Sequence, residues 1–336
     1  MFLRVTVTSL LLIWVFFRID CRHFIEVLRS ARWLLIIAVW ASIALMYWIN
    51  SFKMRLILRA QNCRLNTGTL FGISAVTSLY SLVVPGVLSM AVKWYFLKKG
   101  TGSGMRVFSS MVYNQASNVA IMAMFGLGVL IVTNPAQIIW SHERSQSLTV
   151  ACSIILMVVF QFWLLLLNKK TGSGIVRAIS VLLGPLPGNI RGKAQEAMQH
   201  MALFESLGWL FHLMISLITL LGTALIGVLM YFFAARAALI TVPLSTLAWL
   251  WAVIYILQRV PVSIANLGVR EVILLSVLPR YGEEFSSVVL MSLILFSALV
   301  FISVLGLLFQ LIGFGTGVRP DEAGQSGSHC ESRSHV

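Results

Sequence analysis

Residues 256–275 read ILQRVPVSIANLGVREVILL. Two apolar limbs flank a stretch holding Gln258, Arg259, Pro261, Ser263, Asn266, Gly268, Arg270 and Glu271. Proline removes a backbone donor and glycine loosens a helix, so the run from Pro261 to Gly268 cannot remain regularly helical. The apolar segment 243–280 is therefore expected to enter as a helix, break, and resume as a helix near Val269. A second segment, 69–96, has the same form. Residues 81–94 read SLVVPGVLSMAVKW, with Pro85 and Gly86 in the middle and Lys93 beyond the break.

Six further segments are apolar over about the 20 residues that a helix needs to cross a hydrocarbon core: 2–17, 33–52, 107–132, 148–167, 203–230 and 287–314. The composition agrees. Of 336 residues, 59% are hydrophobic and 11% charged, against roughly 45–50% and about 25% in soluble domains. So few charges could not cover the surface of a soluble chain. The fold class expected is all-α: a polytopic membrane bundle of about six full spans plus two broken, re-entrant segments, with eight spans as the alternative. Residues 1–314 form one membrane domain in this reading, and 315–336, rich in Gly, Ser and His, a disordered tail. The first apolar run lacks a small-x-small cleavage site and is read as a retained span.

The net charge of +14 belongs in loops facing anionic cytoplasmic lipid. With an internal N-terminus and re-entrant broken segments, sixteen Lys/Arg lie inside and seven outside, leaving Arg259 and Arg270 within the second broken segment. Full spans with an external N-terminus give sixteen against nine. Charge barely separates the two arrangements. The re-entrant one is preferred because each broken segment has a long limb, a Pro break and a shorter limb. The first then opens inward and the second outward, as inverted repeats would.

Ionisable groups inside a bilayer need a partner or a job. Arg259 and Arg270 could hold a phosphate bidentately, with Glu271 orienting Arg270 or relaying a proton. The alternative is an interfacial loop whose arginines snorkel to headgroups. Pro85, Gly86 and Lys93 form the matching element of the first half, thinly lined by Ser78, Tyr80, Ser81 and Ser89. Glu205 and His212, two turns apart on one helix face, are a candidate proton relay; helix-dipole complementation by Glu205 is the structural alternative. Ser110, Asn114 and Asn118 recur every four residues, which reads as interhelical hydrogen bonding or as a polar path. KKGTGSGMR at 98–106 and KKTGSGIVR at 169–177 are either phosphate clamps or flexible basic turns. Neither matches a nucleotide-binding loop. The four cysteines have no metal-ligand or disulfide spacing. No cofactor, no metal and no nucleic-acid partner is expected, and enzyme signatures are poor.

The stretch from Arg259 to Glu271 resembles the PxSxxxLGxRE-type segment of the lysylphosphatidylglycerol synthase transmembrane region, the flippase-like domain family. A basic piece, Lys53 to Asn62, preceding a segment with a central Pro-Gly and a following Lys93, extends the likeness over roughly residues 1–314. The resemblance implies an integral membrane protein that handles lipids with charged or glycosylated headgroups. It implies roles for Pro85 and Lys93 in the first half, and for Pro261, Gly268, Arg270 and Glu271 in the second. Two departures matter. Val87-Leu88-Ser89-Met90 stands where many relatives have a Gly-Gly-Asp-like stretch, and the soluble aminoacyl-transferase domain of the true synthases is not expected here.

The function expected is a lipid translocase moving a phospholipid or polyprenyl-phosphate glycolipid headgroup across the plasma membrane. The alternative is an accessory subunit that presents a lipid carrier to a membrane-associated glycosyltransferase. An intramembrane transferase using Glu205, His212 or Glu271 is a third reading.

Overall fold

A computed structural model describes residues 32–83, 86–133, 142–167, 204, 207–259 and 269–311. Every regular element among the described residues is helical: α1 (Trp33–Ala60), α2 (Thr67–Val83), α3 (Gly86–Thr101), α4 (Gly104–Thr133), α5 (His142–Leu167), α6 (Trp209–Ala237), α7 (Leu244–Leu257), α8 (Val269–Val277) and α9 (Phe285–Leu311). Four of them, α1, α4, α6 and α9, are long and apolar enough to cross a membrane. They answer to the expected spans at 33–52, 107–132, 203–230 and 287–314. α5 takes the place of the span at 148–167, with a described apolar stretch of Thr149–Gln161. The expected first span and the tail lie outside the described residues.

Packing shows how the broken segments run. Met54 and Leu58 near the end of α1, Leu70 and Ile73 at the start of α2, Leu97 at the end of α3 and Val107 at the start of α4 share one buried cluster. α2 therefore leaves this end of the bundle and α3 returns to it. Arg55 Nη1 donates to Thr67 Oγ1 (3.1 Å) at the same level. The second broken segment closes at the other end, where the Thr241 backbone N–H donates to Glu283 Oε1 (2.8 Å). Thr241 precedes α7 and Glu283 follows the short 3-10 turn Leu278–Tyr281 after α8, so this segment too begins and ends on one side. Leu244 and Ser245 at the start of α7 line a cavity with Val132 and Thr133 at the end of α4. α4 joins the two levels, so the hairpins open toward opposite ends. Both described pairs of limbs run out and back, opening toward opposite ends as the re-entrant reading expects.

α9 packs most extensively on α2. A Cβ at Gly306 would lie 2.3 Å from the Ala75 carbonyl oxygen, so the two backbones touch there and only glycine fits. Ser78 and Ser303 bond across the same seam (3.2 Å). The segment 98–106 forms the tight turn from α3 to α4, where Gly102 has φ 74°. Its polar groups are used locally: Gly102 N–H donates to Lys98 O, Trp94 Nε1 donates to Gly104 O, and the Lys98 ammonium lies over the Trp94 ring. The companion turn at 169–177 lies outside the described residues.

α1 is longer than the expected span. No glycine or proline interrupts 33–60, so the helix runs on to Ala60 and the chain turns only at Asn62, with φ 60°. This corrects the reading of Lys53 as a loop cation: it belongs to α1 and is fully buried.

Candidate headgroup site

α6 carries a π-helical segment, Leu220–Leu225, between its α-helical limbs. A single π turn shifts a helix's register and is common at functional sites. Here it sets two threonines against α1. Thr219 meets Lys53, and Thr223 Oγ1 donates to Asn50 Oδ1 (3.3 Å). The Thr223 carbonyl accepts from Trp251 Nε1 of α7 (3.0 Å), which ties α7 to the same turn.

Lys53 sits at the centre. Its Nζ donates to Asn118 Oδ1, Thr219 Oγ1 (3.0 Å) and Ser117 Oγ (3.4 Å). The hydroxyls of Ser117 and Thr219 donate to the carbonyls of Asn114 and Ile215 on their own helices, so their lone pairs face the ammonium. All three acceptors are neutral. Asn118 belongs to the stripe Ser110–Asn114–Asn118. Toward the basic end of that stripe, Ser110 Oγ and Asn114 Oδ1 are buried with no hydrogen-bond partner among the described residues.

Two more cations lie close by. Lys93 of α3 and Arg259, just beyond α7, are both within electrostatic reach of Lys53 and of each other. Tyr47 of α1 is within electrostatic reach of Ser78 of α2 and of Arg259. The Arg259 guanidinium packs over the Tyr255 ring at 4.4 Å and is otherwise exposed, and Lys93 is half-buried. Nearby cations repel one another in a medium of low dielectric, and no carboxylate offsets these three among the described residues. The arrangement is suited to an anion.

The expected site residues divide. Lys93 and Arg259 lie within electrostatic reach of each other. Arg270 and Glu271, at the start of α8, close on each other. Arg270 Nη2 and Nε donate to Glu271 Oε1 (2.7 and 3.2 Å), and Ser292 Oγ of α9 donates to the same oxygen (2.7 Å). Both side chains are buried. Arg270 is thereby neutralised where it stands, unlike Arg259. Helix resumes at Val269, as expected. Pro85, Pro261, Ser263, Asn266, Gly268 and Glu205 lie outside the described residues, and Gly86 begins α3.

His212 is buried and bonded at both nitrogens. Nε2 faces the Phe204 carbonyl (3.1 Å) and Nδ1 the Tyr113 hydroxyl (2.6 Å). A carbonyl only accepts, so Nε2 carries a proton and donates to it, while Nδ1 and the Tyr113 hydroxyl share the second hydrogen bond. Tyr113 also stacks on Phe204 at 4.4 Å.

Lys53 is the residue that the sequence reading passed over. Its signal was periodicity. The buried positions Ile36, Val39 and Ile43, continued in steps of three and four, arrive at Asn50, Lys53 and Ile57.

No curated protein and no solved structure matches the chain. The family model described as the lysylphosphatidylglycerol synthase TM region matches residues 1–307, nearly all of the helical bundle built above. The chain is a multi-pass membrane protein of the lysylphosphatidylglycerol synthase transmembrane-region family, a lipid-related family.

Proposed function

We propose that this protein moves the anionic headgroup of a phospholipid or polyprenyl-phosphate glycolipid between the leaflets of the plasma membrane. The observation that carries the reading is that Lys93 and Arg259, one from each broken segment, lie within electrostatic reach of each other, with no carboxylate paired to either among the described residues. An anionic headgroup would supply that pairing. Charge at membrane depth is tolerated when paired or facing a cavity, and broken helices are tolerated where they line one. Hairpins that open to opposite ends also suit alternating access to a fixed central site. In this reading the end bearing Arg55, Arg59, Arg64, Lys98, Lys99 and Arg106 faces the cytoplasm. Arg270 and Glu271 hold α8 to α9 and so position the second hairpin. The protein then works by binding and passage, without a catalytic group.

The test is headgroup movement in proteoliposomes. Purified protein is reconstituted with a labelled anionic phospholipid, or with a polyprenyl-phosphate sugar, and the label's accessibility in the outer leaflet is followed over time. Faster exchange than in empty vesicles, lost in Lys93→Ala and Arg259→Ala, is the expected result. Folded protein that binds the lipid without moving it would favour the accessory-subunit alternative. Movement that survives both substitutions would remove the assigned site.

A further inference from the structure

We infer that Lys53, acting through the π-helical turn of α6, is a positioning residue for Arg259: it fixes where the second hairpin holds its cation without itself touching the headgroup. This rests on the reading of Lys93 and Arg259 as the headgroup site.

The connection is built of direct contacts. Asn50 and Lys53, three residues apart, share one face of α1. Lys53 Nζ donates to Thr219 Oγ1 (3.0 Å) just before the π turn, and Asn50 Oδ1 accepts from Thr223 Oγ1 (3.3 Å) within it. Asn50 is itself fixed, because its Nδ2 donates to the Met46 carbonyl (3.0 Å). α1 therefore grips the turn at two points. The remaining hydrogen bonds of the ammonium, to Ser117 and Asn118, tie the same nitrogen to α4. Three donors meet three acceptors, and Lys53, Ser117, Asn118 and Thr219 are all buried. Replacing buried charges by apolar side chains of similar volume is often neutral or stabilising, so an ammonium at this position serves geometry better than it serves stability.

The turn passes this constraint to α7. In a π turn the backbone N–H reaches back five residues, as Ile226 N–H does to the Leu221 carbonyl. The extra residue rotates the limb that follows by about 100°. Gly227 then lies under the Trp251 indole, where a Cβ would come within 2.2 Å of Nε1, and Nε1 donates to the Thr223 carbonyl (3.0 Å). An uninterrupted α-helix would carry Ile226 to the place of Gly227 and close the slot that the indole fills. From Trp251 the contacts continue along one face of α7 in four-residue steps. The Tyr255 ring meets the Trp251 ring edge-on with centroids 5.4 Å apart, and the Arg259 guanidinium lies 4.4 Å from the Tyr255 ring centre. That ring is a cation–π platform for Arg259, and its place is set by the indole behind it.

The experiment is a double-mutant cycle on the full chain in neutral detergent. It reads affinity for short-chain phosphatidylglycerol, with phosphatidylcholine as the neutral reference, together with the thermal unfolding midpoint. Trp251→Phe keeps an aromatic ring and removes the indole donor, and Thr219→Val removes one oxygen from the Lys53 centre. Trp40→Phe is the control, because it loses an indole bond of the same length, to Ser297 Oγ (3.0 Å). It should lower the midpoint as Trp251→Phe does and leave binding unchanged. Trp251→Phe and Thr219→Val should each weaken phosphatidylglycerol binding by about two- to tenfold, and neither should weaken it further in an Arg259→Ala background. Lys53→Met should act in the same way; if it does not fold, the Trp251 and Thr219 cycles still decide. Losses that persist in full on Arg259→Ala overturn this inference and leave the headgroup site standing. So does an equal loss in Trp40→Phe, or no loss in either test variant while Arg259→Ala itself weakens binding. Arg259→Ala that binds as the unaltered protein does overturns the headgroup site and this inference together.

Discussion

Arg270 and Glu271 are sequence neighbours whose side chains turn onto each other inside the bundle, Nη2 to Oε1 at 2.7 Å, with Ser292 of α9 completing the contact. Breaking a buried pair by removing one partner leaves an uncompensated charge and costs about 3–5 kcal/mol. Glu271→Gln should therefore lower the thermal unfolding midpoint in detergent sharply, and the double change Arg270→Met with Glu271→Leu should recover much of it. An unchanged midpoint in Glu271→Gln would show that the pair does not hold α8.

Lys93 and Arg259 should behave differently. Neither charge has a hydrogen-bonded protein partner among the described residues, so Lys93→Ala and Arg259→Ala should leave stability nearly unchanged. Hydrogen bonds to charged groups are worth about 1.5–3 kcal/mol, so each change should weaken anionic-lipid binding by about ten- to a hundredfold. Lys99→Ala, in the exposed turn, serves as the control. Equal losses in all three would point to surface electrostatics alone. Microscale thermophoresis against phosphatidylglycerol, with phosphatidylcholine as the neutral reference, makes the comparison.

The two hairpin mouths can be trapped. Thr241 and Glu283 are 42 residues apart yet joined by a 2.8 Å hydrogen bond, and Leu70 and Leu97 share one buried cluster. The pairs Thr241→Cys with Glu283→Cys, and Leu70→Cys with Leu97→Cys, should cross-link within a single chain in isolated membranes. Impermeant thiol reagents should reach the members of the first pair from one side only. Failure of both pairs would indicate full spans in place of re-entrant hairpins.

Gly306 is a packing constraint. Its missing Cβ would meet the Ala75 carbonyl oxygen at 2.3 Å, which is backbone and cannot swing away. Gly306→Ala should cost about 1–3 kcal/mol through forced separation of α2 and α9. Gly128→Ala, where a Cβ meets nothing within 4 Å, should be tolerated or mildly stabilising. The ratio of folded to aggregated protein by size-exclusion chromatography reads both.

Much of this architecture was legible from sequence because membrane depth imposes blunt rules. Apolar length located α1, α4, α6 and α9, and Pro85-Gly86 and Pro261 to Gly268 marked both breaks. The inverted openings followed from limb lengths. Lys93 and Arg259 were legible as candidates because cations inside apolar segments are costly enough to stand out.

Other features depended on three-dimensional neighbours. Two arginines eleven residues apart looked equivalent in sequence, yet among the described residues only Arg270 finds a carboxylate in reach, because the first turn of α8 directs it and Glu271 toward Ser292 of α9. Lys53 looked like a loop cation until the uninterrupted helix carried it past the expected span end. The reason is physical. Apolar length and backbone breaks are local properties that a chain carries by itself, whereas the pairing of a buried charge is decided by what the other helices bring within hydrogen-bond distance.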